Sequence, residues 1–214
     1  MVTTILHYIY DPLCGWCYGA SPLVAAARKL VAVRAHGGGM MAGPNRQAVT
    51  PQLRAFVAPH DQRIAQLTGQ PFGDAYTNGL LRDTSAVLDS EPPTAAVLAA
   101  EGAGARGLDM LARLQVAHYV EGRRIADRSV LIELAAELGL VPGTFEQALQ
   151  RAEGEATQRH IAESRALLAK LGGHGFPTFA LERDGRIDLI DIHQYLARPS
   201  ATDRLAKGAG PPRL

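Results

Sequence analysis

Both cysteines of the chain fall within four residues, in Cys14-Gly15-Trp16-Cys17. They lie between a β-type run, Ile5-Leu6-His7-Tyr8-Ile9-Tyr10, and an Ala/Leu-rich stretch with helical spacing. Asp11-Pro12 ends the strand, because proline biases its predecessor away from helix. The pair therefore sits where a strand gives way to a helix, and its spacing brings both sulfurs to the first helical turn. Unpaired N–H groups and the positive end of the helix dipole favour a thiolate at the first of them. That placement suits dithiol–disulfide exchange. As a staple the pair is poor, since a four-residue loop restrains the unfolded chain far less than a long one. As a zinc site it is incomplete: no histidine stands at finger spacing to fill the tetrahedral shell, so no metal is expected.

Around this junction the chain reads as βαβ, a long helical block, then ββα. Residues 3–10 form the first strand, and 15–32 a helix with Leu23, Val24, Ala27, Leu30 and Val31 on its apolar face. Val33 to Gly37 returns to an extended pattern that Gly37-Gly38-Gly39 ends, which calls for a right-handed crossover between parallel strands. From 44 to 172 nearly everything is helical. Pro92-Pro93 opens one helix and another covers 107–120. Leu131, Leu134, Ala135 and Leu138 mark a third, stopped by Gly139. Thr144 to Gln147 reads as a capping box before Phe145, Ala148, Leu149 and Ala152, and a further helix spans 154–171. Residues 45–90 are less periodic and are read as helical. Thr178 to Leu181 and Ile187 to Ile190 flank Asp184-Gly185, a hairpin turn signal. A short helix near 193–198 and a flexible Gly/Pro-rich tail, 208–214, close the chain. Hairpin strands need a sheet to join. One α/β domain, 1–43 with 173–207, interrupted by an all-helical domain, 44–172, is the simplest solution.

At 47% hydrophobic, 214 residues bury a core without cross-links. Lys plus Arg number 22 against 21 Asp plus Glu, a balance that gives no reason to expect a nucleic-acid or membrane partner. No apolar run approaches the roughly 20 residues that span a bilayer. Met1-Val2-Thr3-Thr4 enters the first strand with no signal-peptide pattern, so a cytoplasmic protein is expected.

A second motif, Gly175-Phe176-Pro177-Thr178-Phe179, stands at the start of the first carboxyl-terminal strand, where a proline is tolerated and cis peptides occur in tight turns. It joins Asp11 to Gly19, the Gly37–Gly43 segment with Met40-Met41, and Tyr119-Val120-Glu121-Gly122-Arg123. Together these resemble the DsbA-like branch of the thioredoxin superfamily, whose thioredoxin-like fold is interrupted by a large all-helical insertion. The resemblance implies Cys14 as the exposed nucleophile and Cys17 as the resolving thiol. It implies a cis Pro177 packed against the sulfurs, with the Phe176 backbone offered to an extended substrate. Trp16, Phe176 and Thr178 are the expected substrate contacts, with Met40-Met41 as adaptable neighbours. Asp11 is a candidate proton relay to the resolving thiol, or simply a loop-ordering residue. His174 is a candidate for tuning the thiolate, or an ordinary loop histidine. His7, His118 and Tyr119 read as core.

The implied activity is that of a thiol–disulfide oxidoreductase, akin to a protein-disulfide isomerase and working through a mixed disulfide with protein or peptide thiols and disulfides. No bound cofactor is expected, with glutathione a candidate co-substrate and partner. Gly15-Trp16 is neither the Pro-His of DsbA nor the Gly-Pro of thioredoxin, which points to a potential between theirs. One alternative is a glutathione-dependent transferase or isomerase of the kappa or 2-hydroxychromene-2-carboxylate isomerase type. Those relatives carry Ser where this chain has Cys14, and glutathione is their co-substrate. The other alternative is a non-catalytic peptide-binding module.

Overall fold

The computed structural model describes residues 4–196. Strand β1 (Thr4–Tyr10) runs into the cysteine motif, helices α1 (Gly15–Gly19) and α2 (Ser21–Ala27) follow, and β2 (Ala32–Gly37) returns parallel to β1. The expected single helix over 15–32 is thus two shorter ones. Pro22 in the first turn of α2 cannot donate a backbone hydrogen bond, so the helix restarts at Ser21. The apolar face also ends early: Leu23, Val24 and Ala27 are buried, whereas Leu30 is 50% exposed.

Strands β5 (Thr178–Arg183) and β6 (Arg186–Ile190) complete a sheet of order β2-β1-β5-β6, with β5 antiparallel to both neighbours. The hairpin turns on Asp184 (φ 49°) and Gly185 (φ 80°), both left-handed as a two-residue primed turn requires. Ile9 pairs with Thr178. Continuing that register sets Phe176-Pro177 beside the end of β1, where the cysteine motif begins.

Between β2 and β5 lie a two-stranded ribbon and the helices of the insertion. The ribbon pairs β3 (Gln47–Ala48) with β4 (Val87–Leu88), so 45–90 is not helical throughout. Helix α3 (Pro51–Thr68) is capped by Thr50, whose hydroxyl accepts from Leu53 N–H at 3.1 Å. Helices α4 (Glu91–Gly104), α5 (Gly107–Tyr119), α6 (Arg128–Glu137) and α7 (Pro142–Ala152) pack together. Alanines 95, 96, 99 and 100 of α4 are buried and let its neighbours come close. Helix α7 begins at Pro142 rather than at a Thr144 cap, because proline's fixed φ suits a first helical position; its predicted apolar face is buried.

Helix α8 (Glu155–Lys170) lies against β2. His160 Nε2 accepts from the Gly37 N–H at 2.9 Å. We propose on this ground that the sheet's own domain resumes with α8, earlier than residue 173. Helix α9 (His193–Leu196) ends the described chain; the expected helix end near 198 and tail 208–214 lie outside the described residues. Among the described residues no helix is long and apolar enough to cross a membrane, and no cluster of three or more His, Cys, Asp or Glu could hold a metal.

Candidate active site

Cys14 is the N-cap of α1, with extended backbone (φ −90°, ψ 113°). Its sulfur accepts from the Cys17 N–H at 3.3 Å, as an N-cap side chain should. Its thiol donates to the Phe176 carbonyl at 3.4 Å, across the cis Phe176–Pro177 bond that the sequence pattern led us to expect. The two motifs, 162 residues apart, therefore meet at one sulfur. Both cysteines are free thiols. Cys14 is only 6% exposed, so it is not an open surface thiol: it faces solvent through a groove. Cys17 has no exposure and does not line that groove. Burial, then the hydrogen bond and charge of Cys14, pushes the Cys17 thiol well above its ordinary pKa.

Asp11 is fully buried and both of its carboxyl oxygens are hydrogen-bonded. Oδ1 accepts from Leu13 N–H (2.8 Å) and Ser90 Oγ (2.9 Å), and Oδ2 accepts from Met40 N–H (2.5 Å). Its backbone N–H, not its carboxyl, reaches the Cys17 sulfur, at 3.5 Å. Burial raises its pKa while these donors pull it down. The arrangement is that of a loop-ordering residue, which ties the end of β1 to the 39–41 loop and to Ser90. Arg165 on α8 braces the same loop, donating to the carbonyls of Gly38 (2.8 Å) and Gly39 (2.5 Å). Gly38 lies flat against the Phe176 ring, where an added Cβ would come within 2.1 Å of Cε1.

His174 is exposed and does not line the groove with the sulfurs. Thr178 does not line it either; its hydroxyl donates to the Gly175 carbonyl at 2.7 Å and braces the turn before Pro177. Trp16, Phe176, Met40 and Met41 do line it. His7 is a satisfied core histidine, bonded to His36 Nε2 (3.0 Å) and Glu182 Oε2 (2.8 Å).

The groove encloses about 880 Å³ and is mostly apolar. Sequence reading missed its far wall, made by Leu53, Phe56, Val57, His60 and Asp61 of α3. Phe56 is 65% exposed at the rim. The floor holds Tyr76, His118 and Tyr119 from an aromatic cluster in which Tyr119 stacks on Tyr18 of α1 at 4.8 Å. His118 and Tyr119 are buried, as expected of core residues, yet they also face the groove.

Asp61 is 7% exposed, and its Oδ2 accepts from Tyr76 OH at 3.1 Å. Burial pushes its pKa up from 3.8 to about 6, with the Tyr76 bond pulling it back. Since the folded protein holds this proton more tightly than the unfolded chain, the group costs stability as pH rises from about 4 through 6. Asp61→Asn is therefore expected to be more stable than the parent by about 1–2 kcal/mol at pH 8, with no difference at pH 3. Urea unfolding at the two pH values checks it; an equal effect at both would tie the change to packing, not charge.

The comparisons with known proteins agree with this geometry. The sequence pattern of the family described as DSBA-like thioredoxin domain matches residues 5–197. The structure of the cytosolic disulfide reductase DsbM from Pseudomonas aeruginosa is 60% identical, superposes with a TM-score of 0.89, and covers 95% of this chain and 97% of that one. A DsbM structure with GSH is 57% identical, with a TM-score of 0.88, and covers 95% and 98%. A 2-hydroxychromene-2-carboxylate isomerase shares the fold, at 19% identity, a TM-score of 0.59 and coverage of 95% and 97%. None of the curated proteins compared matches. With a redox-type cysteine pair at a strand–helix junction and a family match over nearly its whole length, the chain belongs to the DSBA-like thioredoxin family and is a thiol–disulfide oxidoreductase.

Proposed function

We propose that the protein is a cytosolic disulfide reductase that draws its electrons from glutathione. The observation that carries this reading is the Cys14 sulfur, held at the start of α1 and facing a wide groove, with Cys17 buried behind it. The likeness to DsbM, and a DsbM structure with GSH, support the direction, the compartment and the thiol partner.

In the proposed cycle the Cys14 thiolate attacks one sulfur of a substrate disulfide, and the other sulfur leaves as a thiolate that takes up a proton. Cys17 then gives up its proton and attacks the Cys14 sulfur. That releases the second substrate thiol and leaves a Cys14–Cys17 disulfide. One glutathione thiolate reopens it as a glutathionyl adduct on Cys14. A second releases glutathione disulfide, so two electrons and two protons pass from two glutathiones to the substrate. The raised pKa keeps Cys17 protonated until its turn, which prevents two thiolates from facing each other. Trp16 and the Phe176 backbone flank the attacked sulfur as substrate contacts. Pro177 packs beside the reacting pair, and Asp11 holds the loop in place.

The test is turnover of insulin disulfides with glutathione as the sole reductant, beside conjugation and chromene-isomerisation assays. Reduction that disappears in Cys14→Ala is the expected result. Conjugation or isomerisation without reduction would replace the reading by the glutathione-transferase one. A redox titration against glutathione is expected to place the dithiol between about −270 mV, the thioredoxin value, and about −120 mV, that of DsbA. A value as oxidising as DsbA's would point to an oxidase instead.

A further inference from the structure

Among the described residues, the groove carries a carboxylate with no ion-pair partner. Its lining includes one carboxylate, Asp61, with His60 beside it on α3, and no lysine or arginine; Arg54 lines a separate cavity that Asp61 also borders. Asp61 Oδ2 takes the single bond from Tyr76, and Oδ1 lies beside Gly15, next to Cys14, close enough that a Cβ there would come within 3.3 Å of it. A carboxylate has room for about four hydrogen bonds, so most of its capacity is unused. A second buried polar group packs against Tyr76. His118, 2% exposed, has its ring 5.2 Å from the Tyr76 ring and also lines the groove. Its Nδ1 is a buried atom with no partner, while the ring also bonds the Arg123 backbone. Burial drives its pKa down to about 3, so the imidazole is neutral and brings no competing positive charge. Buried polar atoms normally have partners. Asp61, Tyr76, His118 and Tyr119 all line the groove, with the His118 Nδ1 atom itself buried. The complement of such a surface is a positively charged group with several N–H donors.

We propose that Asp61, beside the Tyr76 and Tyr119 rings, forms a subsite for a primary ammonium group carried by the thiol or disulfide that reacts at Cys14. This rests on the reductase reading above and deepens it: the apolar walls accept varied substrates, and the ammonium fixes which end enters beside Gly15. The amino group of glutathione and a lysine flanking a peptide cysteine are two sources of the same chemistry.

Two probe pairs separate them. One is glutathione disulfide against the same molecule acetylated on both amino groups. The other is a pair of cysteine-peptide disulfides differing only in lysine against norleucine beside the cysteine. Second-order rate constants for oxidation of the reduced full-length protein are followed by the fluorescence of Trp16, the chain's one tryptophan. The readout is the ratio within each pair, from which any inactive fraction cancels. The parent is expected to favour the ammonium-bearing member of at least one pair by about tenfold, the scale of a charge-assisted bond. Asp61→Asn should bring that ratio to within about twofold of unity. The pair that shows the preference identifies the source. In the parent the ratio should also shrink below pH 6, where Asp61 takes up its proton. Equal rates within both pairs, or a preference that survives Asp61→Asn, would overturn the subsite and leave the reductase reading standing. No reaction with any of the four disulfides would overturn both.

Discussion

Cys17→Ala is expected to accumulate stoichiometric mixed disulfides on Cys14, while Cys14→Ala forms none and loses disulfide reduction down to the uncatalysed level. The reason lies in which sulfur the groove reaches. Cys14 lines it and Cys17 does not, so an incoming disulfide meets only Cys14. Once the mixed disulfide has formed, the group placed to break it is Cys17, whose backbone N–H is already 3.3 Å from the Cys14 sulfur. Alanine at 17 keeps that N–H and the helix start; it removes the second attack, together with the sulfur that accepts from the Asp11 N–H at 3.5 Å. Mass spectrometry of the non-reduced protein, purified from cells with thiols alkylated, would show the adducts and name the partners. Equal trapping by Cys14→Ala would mean that the two roles are exchanged.

The largest loss of stability is expected from Asp11→Ala, about 3–5 kcal/mol. Three donors point at this carboxyl: Leu13 N–H, Met40 N–H and Ser90 Oγ. Each buried donor left without a partner costs about 1–3 kcal/mol, and part of the total is returned because a fully buried carboxyl no longer has to be desolvated. Against a typical total of about 5–15 kcal/mol, that is a large share. Asp11→Asn should lose less, since its remaining oxygen still accepts. The check is a drop in the urea midpoint at unchanged slope. A loss under about 1 kcal/mol would mean that the cost of burying the charge cancels its bonds.

The cysteine junction, the parallel return strand, the insertion's later helices and the Asp184-Gly185 hairpin were all legible, because each has a local cause: a proline, a glycine with left-handed backbone, or a periodic apolar face. The groove was not. Helix α3 buries only Asp61 and Ile64 of its 18 residues, and Pro59 lies inside it. Its groove face, Leu53, Phe56, Val57, His60, Asp61 and Ile64, keeps helical spacing but mixes apolar with polar residues, so it does not read as a core-facing stripe. Thr50-Pro51, a cap followed by a first-turn proline, was the signal that would have found its start. His174 and Thr178 were singled out for closeness to Pro177 along the chain, which says nothing about side-chain direction. Asp61 was missed because its partner, Tyr76, comes from a separate segment of the insertion.

The unequal access of the two sulfurs also governs how the protein meets peroxide. Hydrogen peroxide entering the groove reaches Cys14 and leaves a sulfenic acid there, with water as the other product. Cys17 lies against that sulfur and out of the oxidant's path, so it condenses with the sulfenic acid, expelling a second water and closing the ordinary disulfide before further oxygen can add. An arrangement that serves exchange thus also steers oxidative damage into a form that thiols can repair.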